Sequence, residues 1–127
     1  MVKKVDKTWG YEEWIVNKQY CGKKLVIKKG MMCSLHFHLK KDETFYVNKG
    51  KVGMMTVQDG EIKYEVLDEG AIIHIPPGLV HSFGGVTDAE IIEFSTHHED
   101  DDSYRIIKSG EMLERLETFF KANPGKP

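Results

Sequence analysis

From Gly30 to Gly50 the chain reads GMMCSLHFHLKKDETFYVNKG. His36 and His38 stand two positions apart in a run with strand character. Side chains two apart in a strand project from the same face. A short polar break, LKKD, separates this run from a second one, ETFYV, which opens with Glu43. If the two runs pair antiparallel, the carboxylate returns to the face that carries the imidazoles. Two imidazoles and one carboxylate that converge form a donor set for a divalent metal ion. A fourth donor, His81, follows the turn Pro76-Pro77-Gly78.

Outward from this stretch the pattern is one of short strands and turn residues. WGYEEWIVN (9–17) and GKKLVIKKG (22–30) precede it, and residues 1–8 read as a polar, Lys-rich arm or a frayed first strand. After Asn48-Lys49-Gly50 come KVGMMTVQ and EIKYEVL, joined by Asp59-Gly60, a strong hairpin signal. AIIHI, the strand that carries His81, and EIIEFST complete the series. No helical period occurs before about residue 108, which predicts an antiparallel sandwich or barrel over about residues 9–107. From Glu111 to Lys121, Met112, Leu113, Leu116, Phe119 and Phe120 recur at helical spacing. A C-terminal helix over about 110–121 is expected, with Ser109 as a possible cap and Asn123-Pro124-Gly125 as its stop. Its plainer role is to pack an apolar stripe on the barrel, and its sharper one is a dimer contact.

At 127 residues the chain is expected to form one domain, 1–127, with 40% hydrophobic and 30% charged residues. A formal net charge of −2 gives no global basic field for nucleic acid. No apolar run is long enough to span a membrane, and the first residues lack an apolar signal core, so a cytoplasmic protein is expected. Cys21 and Cys33 are then free thiols. Cys33 lies three before His36 and should face away from the histidines if the strand is regular.

The two histidine blocks together resemble the cupin family. Its first motif is carried by Gly30, His36, His38, Glu43 and Gly50, and its second by Gly70, Pro76, Gly78 and His81. Position 85, where the family often has Asn, is Gly85, a structural position and not a ligand. The resemblance implies a double-stranded β-helix, a jelly-roll barrel that is all-β apart from the terminal helix. It also implies one divalent transition metal per chain (Zn, Mn, Fe, Ni or Co) on His36, His38, Glu43 and His81, and a homodimer. Four protein donors leave coordination positions open on a five- or six-coordinate ion, the condition for a working site.

Trp9-Gly10, KDETFYV and IIEFSTHHEDDDSYR are similar to the cupin domain of type II phosphomannose isomerases and related sugar isomerases. That similarity implies aldose–ketose isomerisation of a sugar or sugar phosphate. Such chemistry asks for a polarised carbonyl and for a base that moves a proton between adjacent carbons. Glu93, set among apolar neighbours in IIEFS, is a candidate base, and an outward-facing surface glutamate is its plainer reading. Lys41 is a second candidate, with a solvated loop lysine as the alternative. Arg105 is a candidate phosphate or hydroxyl clamp, against an ordinary salt bridge to Asp100–Asp102. His74 reads as a satisfied barrel histidine. His97 and His98 lie beside the acid run 99–102, which reads as solvated, although it could return a carboxylate to the barrel mouth. Two other classes stay open: an Fe(II) dioxygenase or related oxidoreductase, and a non-catalytic sugar-binding cupin.

Overall fold

The structure, a computed structural model, describes residues 3–121, with side chains as far as Phe119. Alternation of small strands and turns yields thirteen strands and one α-helix among the described residues. They are β1 (Lys3–Lys7), β2 (Gly10–Asn17), β3 (Tyr20–Ile27), β4 (Met31–Met32), β5 (Leu35–Phe37), β6 (Glu43–Lys49) and β7 (Val52–Gln58). Then follow β8 (Glu61–Leu67), β9 (Ile72–Ile75), β10 (Val80–Gly85), β11 (Ala89–Thr96), β12 (Tyr104–Ile107), β13 (Gly110–Glu111) and α1 (Met112–Lys121). One sheet runs β1-β2-β3-β11-β6-β9, and the other runs β12-β5-β10-β4-β13, with β7 also paired to β10 and β8 to β7. The strand pairings are antiparallel. The all-β jelly-roll with a short terminal helix is therefore the fold of this chain.

Period-two alternation decides what faces the interior. In β3, Cys21, Lys23, Leu25 and Ile27 are buried while their neighbours are not. Register then lays the interior out in rows across the first sheet. Cys21, Ser95, Glu43 and Ile75 form one row, Trp14, Lys23, Glu93, Phe45 and Ile73 the next, and Glu12, Leu25, Ile91 and Val47 a third. Leu25, Ile91 and Val47 of the third row belong to the apolar core with Trp9, Ile27, Met54 and Phe83, whereas Glu12 at its edge and the first two rows carry charge. The ionisable groups thus share one end of the barrel.

A second apolar layer lies outside the other sheet. Met32, Leu35, Met55, Ile62, Met112 and Phe119 cluster there, so α1 covers the face of the sheet opposite the cavity. This explains why Met54 and Met55, adjacent in β7, are both buried: one enters the barrel and the other lies under the helix. The expected stripe holds for Met112, Leu116 and Phe119, but Leu113 is exposed. Ser109 does not cap α1, because β13 intervenes and the helix starts at Met112, whose N–H donates to the carbonyl of Gly30 at 2.7 Å. The stop at Asn123-Pro124-Gly125 and the side chain of Phe120 lie outside the described residues.

Two local expectations are corrected. The Lys-rich start is a formed edge strand, with Lys3 to Lys7 in register against Trp14 to Gly10. Its lysines suit an edge, and Lys3 sits 4.5 Å above the Trp14 ring. The ligand strand is broken at Cys33 and Ser34, so parity fails there and Cys33 turns inward to the apolar core. The Asp59-Gly60 hairpin forms as read, with φ of 53° and 76°, the left-handed pair of a type I′ turn. At Gly85, a Cβ would stand 2.6 Å from the Lys28 carbonyl oxygen, so a larger residue does not fit this backbone.

Candidate metal centre

β5 and β10 pair so that His36 and His81 stand directly opposite one another. His38 follows β5, and its carbonyl accepts the Gly78 N–H at 2.6 Å, which ties the proline turn to the His-x-His segment. Ligand nitrogens of His36, His38 and His81 lie within 4.8 Å of one another. Glu43, from the facing sheet, brings Oε2 to 3.3 Å from His38 Nε2 and 3.2 Å from His81 Nε2. His81, remote in sequence from His36, His38 and Glu43, thus meets them in the cavity.

Each imidazole is oriented by a main-chain acceptor. Nδ1 of His36 lies 2.8 Å from the carbonyl of Ser34, Nδ1 of His38 2.9 Å from that of Asp102, and Nδ1 of His81 2.9 Å from that of Leu79. A carbonyl only accepts, so each Nδ1 carries a proton, which leaves Nε2 as the nitrogen free to serve a ligand. This is the outer-shell arrangement that prepares histidine for a metal. Burial, with His81 beside it, holds His36 down to about 3, so it stays neutral. Burial alone would raise Glu43, but the groups around it, the Lys41 ammonium among them, outweigh it and keep the carboxyl well below its usual range.

The donors also fit a metal by what they lack. Glu43 Oε2 and His81 Nε2 are fully buried with no hydrogen-bond partner among the described residues. Their approach is close but not aligned as a hydrogen bond, and buried orphans of this kind are costly unless a ligand satisfies them. Cys33 does not compete as a thiolate: burial pushes its thiol up to about 12, and its sulfur accepts the Phe83 N–H at 3.2 Å.

The centre opens on a cavity of about 930 Å³. Its lining is apolar at Trp9, Leu25, Phe45 and Phe83 and polar at Glu12, Lys23, Lys41, Glu93 and His98. Glu93 is buried on this inner face, not outward on an edge. Lys41 is also buried, 3% exposed, which corrects the solvated loop reading. Its ammonium lies 2.7 Å from Glu93 Oε2 and 3.5 Å from Glu43 Oε1. Burial alone would lower Lys41, but the two carboxylates outweigh it and raise it above its ordinary value. Ser95 donates to the same Glu93 oxygen at 2.8 Å.

Asp102 explains how a loop lysine comes to be inside. Its carboxylate accepts the N–H groups of Leu39, Lys40 and Lys41 at 3.0–3.2 Å. The loop is folded around this one anion, and the side chain of Lys41 is directed into the barrel. The acid run thus returns a buried carboxylate, while Asp100 pairs with His98 at 2.9 Å. Neither pairs with Arg105. Arg105 is exposed at the cavity mouth, opposite His36 in the β12–β5 register, with Lys7 and Lys108 on the same rim.

His74 is not inside the barrel; it is exposed and paired with Asp42 at 2.6 Å. His97 is exposed and bonded to the Lys18 carbonyl. Glu12, Lys23 and Trp14 form a cavity cluster that was not singled out from sequence. Lys23 Nζ lies 3.1 Å from Glu12 Oε1 and 4.2 Å above the Trp14 ring. Its parity with Leu25 and Ile27 in β3 was the available signal.

No helix of the described residues is long and apolar enough to cross a membrane. Among curated proteins, the chain is 29% identical over 93 residues to a mannose-1-phosphate guanylyltransferase of Sinorhizobium fredii, covering 71% of this chain and 17% of that protein. Among solved structures, it superposes on the capsular polysaccharide assembling protein CapF from Staphylococcus aureus with a TM-score of 0.74 at 19% identity, covering 84% of this chain and 32% of that one. It superposes on a single-residue variant of the oxalate decarboxylase of Bacillus subtilis with a TM-score of 0.74 at 19% identity, covering 99% and 38%. The chain therefore spans less than half the length of each of these proteins, and the structural likeness is one of fold. The cupin family profile matches residues 20–122, most of the described barrel and the whole of α1; the chain belongs to the cupin family.

Proposed function

We propose that this chain is a metal-dependent isomerase of a sugar or sugar phosphate, interconverting aldose and ketose. The observation that carries this reading is the buried Lys41–Glu93 pair, 2.7 Å apart on the wall of the cavity that the histidines share. His36, His38, Glu43 and His81 would hold a divalent ion, which when bound supplies a Lewis acid for the substrate oxygens. Glu93 is the base: it takes the proton from the hydroxyl-bearing carbon and returns it to the neighbouring carbon, so the carboxylate ends as it began. Both contacts of Glu93 use Oε2, which leaves Oε1 for this exchange. Lys41, held as an ammonium, steadies charge beside the substrate oxygens and orients Glu93. Arg105, with Lys7 and Lys108 at the mouth, supplies positive charge for a phosphate. The relative named for mannose-1-phosphate supports a phosphorylated sugar.

The test is proton exchange in D₂O. The full chain, loaded in turn with Mn, Co, Ni, Zn and Fe(II), is screened against aldoses and sugar phosphates by NMR. The reading expects deuterium at the carbon next to the carbonyl, with ketose formed, and loss of both in Glu93→Gln. Binding without exchange for every metal and sugar would favour a sugar-binding cupin instead. Oxygen consumption with the Fe(II) form would favour the oxidoreductase reading, against which the charged side chains lining the cavity argue.

A further inference from the structure

His98 lies past β11 and is held from several sides. The Asn17 amide takes both main-chain groups: its oxygen accepts the His98 N–H at 2.8 Å, and its nitrogen donates to the His98 carbonyl at 3.1 Å. Trp14 packs edge-on at 5.0 Å between ring centroids. One ring nitrogen, Nε2, lies 2.9 Å from Asp100 Oδ1, and the other, Nδ1, lies 3.1 Å from Lys41 Nζ.

These contacts fix the protonation pattern. A carboxylate oxygen accepts, so Nε2 carries the hydrogen; an ammonium donates, so Nδ1 offers a lone pair. Burial, with Lys23 and Lys41 nearby, holds His98 down to about 4 and agrees with a neutral ring. The ammonium of Lys41 has three hydrogens and meets Glu93 Oε2, Glu43 Oε1 and His98 Nδ1. His98 is the only uncharged member of that set. Without it, one ammonium hydrogen faces the cavity, and the lysine is free to turn away from one of its two carboxylates.

We propose that His98 is a positioning residue that holds the Lys41 ammonium between the candidate ligand Glu43 and the candidate base Glu93. The geometric claim stands apart from turnover. Its consequence for turnover rests on the isomerase reading above.

The test uses two amides that imitate one ring nitrogen each. In His98→Asn the side-chain oxygen falls near Nδ1 and can accept from Lys41. In His98→Gln the amide extends toward Nε2 and Asp100 and leaves Lys41 unserved. The ¹⁵N-labelled full chain is observed by NMR for side-chain ammonium and imidazole nitrogens. Wild type is expected to show a slowly exchanging Lys41 ammonium signal, assigned by its loss in Lys41→Met, and a His98 ring protonated at Nε2. The ammonium signal should persist in His98→Asn and be lost in His98→Gln, with the amide spectrum of the barrel kept in both. Equal protection in the two variants, no protected signal in wild type, or a ring protonated at Nδ1 would overturn the proposal. Should either variant fail to fold, the wild-type signal and tautomer still decide. If an isomerase substrate is found, kcat should fall in His98→Gln and recover in His98→Asn with KM little changed. A chain with no isomerase activity but the expected spectra would defeat the functional reading and leave the positioning role intact.

Discussion

The main-chain carbonyl of Asp102 accepts Nδ1–H of His38 at 2.9 Å, while the carboxylate of the same residue gathers the N–H groups of residues 39–41. One residue of an acidic run therefore orients a candidate metal ligand and folds the loop that delivers Lys41. Replacing Asp102 by Ala removes the acceptor for three N–H groups. We expect a loss of about 1–3 kcal/mol in denaturant stability and weaker metal binding, by roughly 10–100-fold if the His38 carbonyl contact slips. Asp102→Asn should cost less on both counts, measured by urea unfolding and competition with a chelator.

Asp102 also sets a pH dependence. Burial would raise its carboxyl, but the three main-chain N–H groups outweigh that and depress it below the usual aspartate range. A depressed folded-state value contributes stability that is present above the unfolded value of about 3.9 and is lost as pH falls through the folded one. Wild type should thus lose stability below about pH 4 more steeply than Asp102→Asn. Parallel acid limbs in the two proteins would contradict the cap.

Lys41 and Glu93 are both buried and 2.7 Å apart. Removing one partner strands a buried charge, so Lys41→Met alone should cost about 3–5 kcal/mol. Lys41→Met with Glu93→Leu should cost much less than the two single changes together. Additive costs, measured as a double-mutant cycle by urea unfolding, would mean that the pair is not coupled.

Arg105 stands at the mouth with no ion pair to Asp100–Asp102. Arg105→Ala should raise KM for a phosphorylated sugar far more than for its neutral counterpart. Equal effects on both substrates would remove the phosphate-clamp role.

The helix layer is separate from the cavity. Phe119, on the buried face of α1, is 1% exposed on the far side of the second sheet. Phe119→Ala should cost about 3–5 kcal/mol of stability and leave metal affinity unchanged, as read by thermal unfolding and metal titration.

Much of the architecture was legible because alternation and turn chemistry are local. Asp59-Gly60 needs two left-handed residues, and the chain supplies two that tolerate them. His36 and His38 share a face by parity, and Gly70 to His81 supplied the second half of the motif. What was not legible depends on partners distant in sequence. Lys41 looks solvated until Asp102, 61 residues away, accepts its N–H and turns its loop inward. Glu93 was balanced between inside and outside until its register with Lys23 and Phe45 was known. Cys33 misled because parity assumes an unbroken strand, and the strand breaks at that residue.

Elemental analysis of the purified chain and of His36→Ala tests the metal assignment most directly. We expect one equivalent of a divalent transition metal per wild-type chain and its loss in His36→Ala, with the β-sheet circular dichroism of the barrel retained. A folded His36→Ala protein that still holds a full equivalent of tightly bound metal would contradict the assignment of His36, His38, Glu43 and His81 as the metal centre.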